Sequence, residues 1–426
     1  MRKNLVGAGA RELKYEIREI VELANQIKSY GVNITWENIG DPVAKGESIP
    51  EWMKKIVIEA CEKDSTYGYC PTKGLETARE FIANRRKNLS KDDIIFFNGL
   101  GDAINKIYTN LSFDARVIGP NPAYSTHSSA EANHAGSEHI TYSLDPNNGW
   151  NPDLEELENK VKYNPNIAGI LVVNPDNPTG AVFKKEVLEK IIDIARRYSL
   201  FVVFDEIYEK LVYNIEDRVI LSDIIGEVPG ISMKGASKDL PWPGARCGWI
   251  EIYNADKDAN FREYVKSILN SKMLEVCSTT LPQAVLPTIY SSPEYEKYRL
   301  QRIEKYKTRA KLATEILGDL DLISVVEPKG AFYLSITFNT EKFPSSPSLA
   351  IENKDLKEFI EGKMSGLRFD KRFCYYLLAS TGICSVPLSG FNSHYNGFRI
   401  TLLEENLDKY KSILQTIREA IIEFSK

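Results

Sequence analysis

Residues 167–208 read IAGILVVNPDNPTGAVFKKEVLEKIIDIARRYSLFVVFDEIY. The stretch opens on an unbroken apolar run, IAGILVV, that stops at a turn rich in Asn, Pro and Gly. The next segment, KKEVLEKIIDIARRY, spaces its apolar residues for one face of a helix. A second apolar run, LFVVFDEIY, follows at once. A fully apolar strand must be covered on both faces, and strand, helix, strand at this spacing makes a parallel crossover.

Further units of the same kind lie upstream. DDIIFFNG (92–99) reads as a strand, DAINKIYTNL (102–111) as a helix and ARVIGP (115–120) as another strand; downstream, GISMK (230–234) is a further one. Crossovers in series predict an α/β fold, a large mainly parallel sheet with helices on both faces. After residue 290 the pattern changes. A long charged helix over 295–317 precedes strand-like GAFYLSITF (330–338), GICSVPLSG (382–390) and GFRITLL (397–403). This predicts a smaller α+β domain. Helical periodicity over 11–30, with Leu13, Ile17, Ile20, Val21 and Leu23 on one side, suggests that the N-terminal segment joins it. The expected division is 55–295 for the large domain, and 1–54 with 296–426 for the small one.

Composition bounds the function. The 426 residues are 43% hydrophobic and 27% charged with a net charge of −5, an ordinary globular balance. A nucleic-acid partner would need a dense cationic face, and no such run occurs. Six scattered cysteines, without CxxC spacing, and four histidines argue against a zinc site and for free buried thiols in a reducing compartment. Neither a signal-peptide core nor an apolar run of ~20 residues is present, so no membrane role and a soluble cytoplasmic protein are expected.

In open parallel sheets ligands sit at the carboxyl ends of the strands, and the polar residues expected there are informative. Asn177 lies in NPDNPTG, Asp205 and Tyr208 in DEIY, and Gly99, Leu100, Gly101 and Asp102 form a strand-to-helix turn. Ser237 and Lys238 follow the next strand, with Arg246 eight residues later. Each alone has a plain explanation: a tight turn, a helix cap, a surface lysine. Together they place a phosphate nest, a carboxylate, a phenol, an amide and two cations along one sheet edge. A ligand satisfying all of them carries a phosphate, a phenolic oxygen, a basic ring nitrogen and an aldehyde, which describes pyridoxal 5'-phosphate.

These motifs resemble those of the class I/II aminotransferases, pyridoxal-phosphate enzymes of fold type I. GDP (40–42), YCPTKG (69–74), NGLGDA (98–103), NPAYSTH (121–127), NPDNPTG, DEIY, SK followed by Arg246, and GFRITL (397–402) occur in the family's order over nearly the whole chain. YCPTKGL, GWNPDLEEL, NPTGAVF and DEIYEKLVY are closest in flavour to alanine and aspartate aminotransferases.

The resemblance implies roles. Lys238 would hold the cofactor as a Schiff base and later move a proton between the substrate α-carbon and the cofactor. Arg246, Ser237 and the Gly99–Asp102 turn would hold the phosphate, and Asp205 the pyridine nitrogen. Tyr208 and Asn177 would reach the phenolic oxygen, and Tyr124 would stack on the ring. Arg399 would take the substrate carboxylate, with Gly40 and Asn177 beside it. Tyr69 would reach the cofactor of a neighbouring subunit, implying a homodimer with shared active sites. His127 is either a support for Asp205 or a satisfied core histidine. Phe332 and Tyr333 are read as packing, and Trp36 and Trp242 as lining the substrate mouth.

Two departures stand out. Gly235 occupies a position where the family often has a serine, so the phosphate would lean more on Arg246, Ser237 and the Gly99 turn. DLPWPGA (239–245) is rich in Pro and Trp, which stiffens the loop between the two cations. The expected activity is transamination from an L-amino acid (alanine first, aspartate second, an aromatic amino acid third) to a 2-oxo acid such as 2-oxoglutarate. A lyase or decarboxylase using the same cofactor is the alternative. A non-catalytic sensor domain is disfavoured because Lys238 and Asp205 are both present.

Overall fold

The computed structural model describes residues 5–13 and 16–426, and the side chain of Ile17 lies outside the described residues. A short strand, β1 (Thr35–Trp36), precedes a large sheet built from β2 (Ile94–Asn98), β3 (Arg116–Asn121), β4 (Thr141–Asp145), β5 (Asn151–Pro152), β6 (Ile167–Val173), β7 (Phe201–Asp205), β8 (Gly230–Gly235) and β9 (Cys247–Tyr253). Their order across the sheet is β2-β9-β8-β7-β6-β3-β4-β5. The pairs β8/β7, β7/β6, β6/β3 and β3/β4 are parallel, while β9 runs antiparallel to both of its neighbours. The fold is therefore α/β with a mainly parallel sheet, as the crossover pattern predicts.

The apolar runs are buried on both faces. Ile170, Val172, Val202 and Phe204 pack against Leu188 and Ile191 of the helix Lys185–Arg197. Their chain neighbours Leu171, Val173 and Val203 point the other way, to Ile104, Ile107 and Ile268. That alternation is the pleat of a strand expressed as two separate cores.

After the long helix Pro293–Leu317 come β10 (Ile323–Val325), β11 (Tyr333–Phe338), β12 (Ile383–Cys384), β13 (Val386–Pro387) and β14 (Gly397–Thr401). Four of them form an antiparallel sheet, ordered β10-β11-β14-β13, and β12 pairs with β1. The strand-like stretch 382–390 is thus two short strands and a 3-10 turn, Leu388–Phe391. The N-terminal helix spans Glu16–Lys28 and is shorter than its periodicity suggests; Leu13 lies outside it and is exposed. Ile20, Leu23 and Ile27 do pack with Phe373 and Ile400, so this helix belongs to the C-terminal core. Ile207, Tyr208 and Leu211 enter the same core, which carries the turn after β7 into contact with β11.

All six cysteines are free thiols, with Cys61 and Cys277 only half-buried. Among the described residues no helix is long and apolar enough to cross a membrane.

Candidate functional site

A cavity of about 190 Å³ opens at the carboxyl ends of β6, β7 and β8. Asn177, Asp205 and Tyr208 wall it from the large-sheet side, and Ser237, Lys238 and Arg246 from the loop after β8. Leu100, Gly101 and Tyr124 complete the wall from two helix starts. A larger cavity, about 410 Å³, lies between the helix Ser125–Ala135 and the loop 388–394 and contains none of these groups.

One end of the smaller cavity is built for an anion. The helix Leu100–Thr109 begins there, so its positive dipole end faces inward. Gly99 has φ 82°, a left-handed backbone that favours glycine. A Cβ at Gly99 would also collide with the Arg246 guanidinium, so the glycine and the arginine share one space. Arg246 itself turns back through φ 47° after the 3-10 turn Pro243–Ala245 and donates to the Asn98 carbonyl at 3.4 Å. Asp102 stands outside the wall; its carboxylate accepts the Asn98 N–H at 3.0 Å and faces Lys106 and Lys272 at 3.5 and 3.6 Å. A serine at 235 would press on the Cys247 carbonyl, 3.0 Å from its Cβ, and on Ile207 at 3.1 Å. That crowding gives a physical reason for glycine there.

Deeper in, Asp205 is buried, with Oδ1 accepting the Ile207 N–H at 3.1 Å. Its Oδ2 lies 3.2 Å from His127 Nε2, and His127 Nδ1 lies 3.1 Å from the Tyr108 hydroxyl. His127 is therefore both a satisfied core histidine and the neighbour of Asp205. Burial pushes the Tyr108 phenol well above its ordinary value, so that end of the chain stays protonated. Burial, then Tyr333, does the same to Tyr208. Asp176, next to Asn177, is held by the Thr179 N–H and hydroxyl at 3.1 and 2.5 Å, yet burial still raises it to about 7.

On the opposite side Lys238 Nζ donates to the Gly40 carbonyl at 3.0 Å. Gly40 cannot be larger, because a Cβ there would overlap the Tyr333 hydroxyl. Arg399 on β14 donates to Asn177 Oδ1 at 3.2 Å and to the Asn38 carbonyl at 2.5 Å. Its guanidinium lies near two rings, 4.5 Å from the centroid of Tyr333 and 5.0 Å from that of Phe391. Trp36 and Trp242 do not line the cavity: Trp36 packs on the C-terminal core beneath Lys28, and Trp242 against the cluster around Met53. Tyr69 is 87% exposed on a loop tied to the segment 278–280 by Thr280 Oγ1 to Gly68 O, 2.8 Å.

Sequence reasoning missed Arg302 and Glu47. Arg302, on the long helix, donates to the carbonyls of Lys238 and Asp239, both at 2.7 Å. Its charge is met by Glu47, 2.6 Å away and as buried as itself. Burial alone would raise Glu47, but Arg302, Lys305 and the Tyr298 hydroxyl outweigh it and hold the carboxyl below its ordinary range. No local signal marks Arg302, one of several arginines on a charged helix. Tyr333 was read as packing, and its hydroxyl instead lies 3.0 Å from that of Tyr208.

The arrangement combines an anion cradle, a buried carboxylate, a phenol and amide pair, a primary amine and a guanidinium. That donor set fits a phosphorylated, ring-containing aldehyde and a carboxylate-bearing amine beside it. The family model for aminotransferase class I and II matches residues 37–412. The chain is 54% identical to an uncharacterized aminotransferase of Methanocaldococcus jannaschii, over 100% of both chains. It is 27% identical to the glutamate-pyruvate aminotransferase of Escherichia coli, over 77% of this chain and 81% of that one. The alanine aminotransferase structure from Pyrococcus furiosus superposes with a TM-score of 0.84 at 24% identity, covering 99% of this chain and 100% of that one, which speaks for the shared fold.

Proposed function

The chain belongs to the class I and II aminotransferases, and from that premise we propose that it moves the amino group of L-alanine, or second of L-aspartate, to a 2-oxo acid such as 2-oxoglutarate, with pyridoxal 5'-phosphate bound at Lys238. The observation that carries this reading is the meeting of Lys238, Asp205, Tyr208, Asn177, Ser237 and Arg246 around one cavity. The choice of alanine draws on the likeness to glutamate-pyruvate aminotransferase. When bound, the cofactor supplies an aldehyde carbon for the substrate amine and a ring that takes up electrons from the α-carbon.

The protein's own groups do the rest in this reading. Arg246, Ser237 and the backbone of Leu100 and Gly101 hold the phosphate. Asp205 keeps a proton on the ring nitrogen, and His127 holds Asp205 in place. Tyr208 and Asn177 would hydrogen-bond the phenolic oxygen, and Tyr124 would pack on the ring. Arg399 would grip the α-carboxylate, oriented by Asn177 and by the neighbouring rings of Tyr333 and Phe391. Lys238 Nζ would take the proton from the substrate α-carbon and hold it for return. Residues 55–295 form the cofactor-bearing unit, and 1–54 with 296–426 bring Gly40 and Arg399 to it.

A homodimer with shared sites fits the surface. Tyr67, Tyr69, Met273, Leu274 and Val276 stand exposed on two adjoining loops beside the β2 end, and a second copy would cover them. The test is to mix the cofactor-loaded enzyme with single amino acids and no 2-oxo acid. Alanine should bleach the visible band once and release one equivalent of pyruvate. Continuous release of ammonia or carbon dioxide, with the band retained, would replace this reading by a lyase or decarboxylase.

A further inference from the structure

Tyr333 opens β11 and is buried. Its hydroxyl lies 3.0 Å from the Tyr208 hydroxyl, its ring carries the Arg399 guanidinium at 4.5 Å, and its oxygen fills the space that a Cβ on Gly40 would need. We propose that Tyr333 is a positioning residue for the reaction: its hydroxyl donates to Tyr208, and so directs the single Tyr208 proton at the phenolic oxygen of the bound cofactor. The inference rests on the cofactor reading above and adds to it a residue that no cavity-wall motif contains.

A proton count makes the case. A tyrosine hydroxyl has one hydrogen to give and can accept through its lone pairs. If Tyr208 gave its hydrogen to Tyr333, only lone pairs would face the phenolic oxygen, and the contact would be repulsive. Tyr208 can donate to the ligand while keeping its 3.0 Å contact only if Tyr333 is the donor. The charges favour that direction. The Arg399 cation lies 4.5 Å from the Tyr333 ring and strengthens its O–H as a donor, whereas Lys238 stands farther from the Tyr208 ring, at 5.9 Å. Buried hydrogen bonds in series strengthen one another, so a hydroxyl that accepts from Tyr333 is a better donor to the ligand. The other titratable groups facing the pair are Tyr124 and Asp205, on the large-sheet side. Gly40 keeps the arrangement rigid, since Tyr333 has backbone rather than a mobile side chain against its oxygen.

A stronger donor at the phenolic oxygen stabilises its anionic form and lowers the proton affinity of the cofactor's neighbouring nitrogen. Removing Tyr333's hydroxyl should therefore tighten that proton. The experiment is a pH titration of the visible absorption of the cofactor-loaded enzyme, without substrate. Tyr333→Phe should move the midpoint upward by a few tenths of a pH unit, a fraction of one net hydrogen bond, because the Tyr208 donor remains but is weakened. Tyr208→Phe should move it further, and the double variant should match Tyr208→Phe alone, because the relay has then lost its receiver. Gly40→Ala, which displaces the hydroxyl rather than deleting it, should move the midpoint in the same direction as Tyr333→Phe. A packing role would leave the midpoint in place. An unmoved midpoint in both Tyr333→Phe and Gly40→Ala, in an enzyme that takes up cofactor, overturns this inference alone. A wild-type chain that takes up no cofactor overturns the reading beneath it.

Discussion

Asp205 and Tyr208 reach the cavity on the turn that ends β7, and Ser237 and Lys238 on the loop just after β8. Gly40, Arg302, Tyr333 and Arg399 reach the same place from a loop, a long helix and two strands of another sheet, none adjacent to the next in the chain. The first wall holds groups suited to the cofactor. The second fixes where those groups point: Gly40 receives Lys238 Nζ, Arg302 holds the Lys238 backbone, and Tyr333 meets Tyr208.

That contrast breaks first at Lys238. Lys238→Ala should lower kcat by about 10³-fold or more, since the proposed attachment point and the proposed proton carrier are both lost. Steady-state assays with alanine and 2-oxoglutarate measure it, and more than a tenth of the activity remaining would move the proton-transfer role elsewhere.

The second wall is tested by Arg302→Met, which leaves Glu47 buried without its main partner. Breaking a buried pair by removing one member costs about 3–5 kcal/mol, read from urea or guanidinium midpoints at pH 7. Glu47 has a folded pKa below its ordinary 4.5, so the stability it contributes is present above that value. It is lost as pH falls through the depressed folded value. The deficit of Arg302→Met should therefore shrink in acid, and a deficit that does not change with pH would mean that the arginine acts by packing alone.

The last test is at Asp176, which precedes the first-wall residue Asn177 in the chain. Its pKa is raised from 3.8 to about 7, so its favourable contribution is complete below 3.8 and disappears as pH climbs through about 7. Asp176→Asn removes the buried charge and should stabilise the protein by up to about 4 kcal/mol at pH 8, with the gain vanishing near pH 4. Thermal melts at the two pH values measure it. A loss of stability at pH 8 would show that the charged carboxylate is needed by the Asn177 turn.

Legibility followed the two walls. The α/β class could be read because fully apolar strands with an intervening helical period admit little else, as in 167–208. Asn177, Asp205, Tyr208 and Lys238 were visible because a parallel sheet delivers the residues after each strand to one edge. The N-terminal helix was overextended because Leu13 matches the period but is exposed outside the helix. Tyr333 reads as packing because it sits in an apolar strand, where a phenol's ring and its hydroxyl cannot be told apart by pattern.

The sequence by itself determined the sheet, the order of the motifs and the residue types that line the cavity, because these depend on spacing along a strand or helix. Only the tertiary structure decided that Arg302 holds Lys238, that Glu47 balances Arg302, that Arg399 touches Asn177 and that Tyr333 faces Tyr208. Those contacts join segments far apart in the chain. Their distances are set by how the C-terminal core packs on the turn after β7, and no local periodicity encodes that.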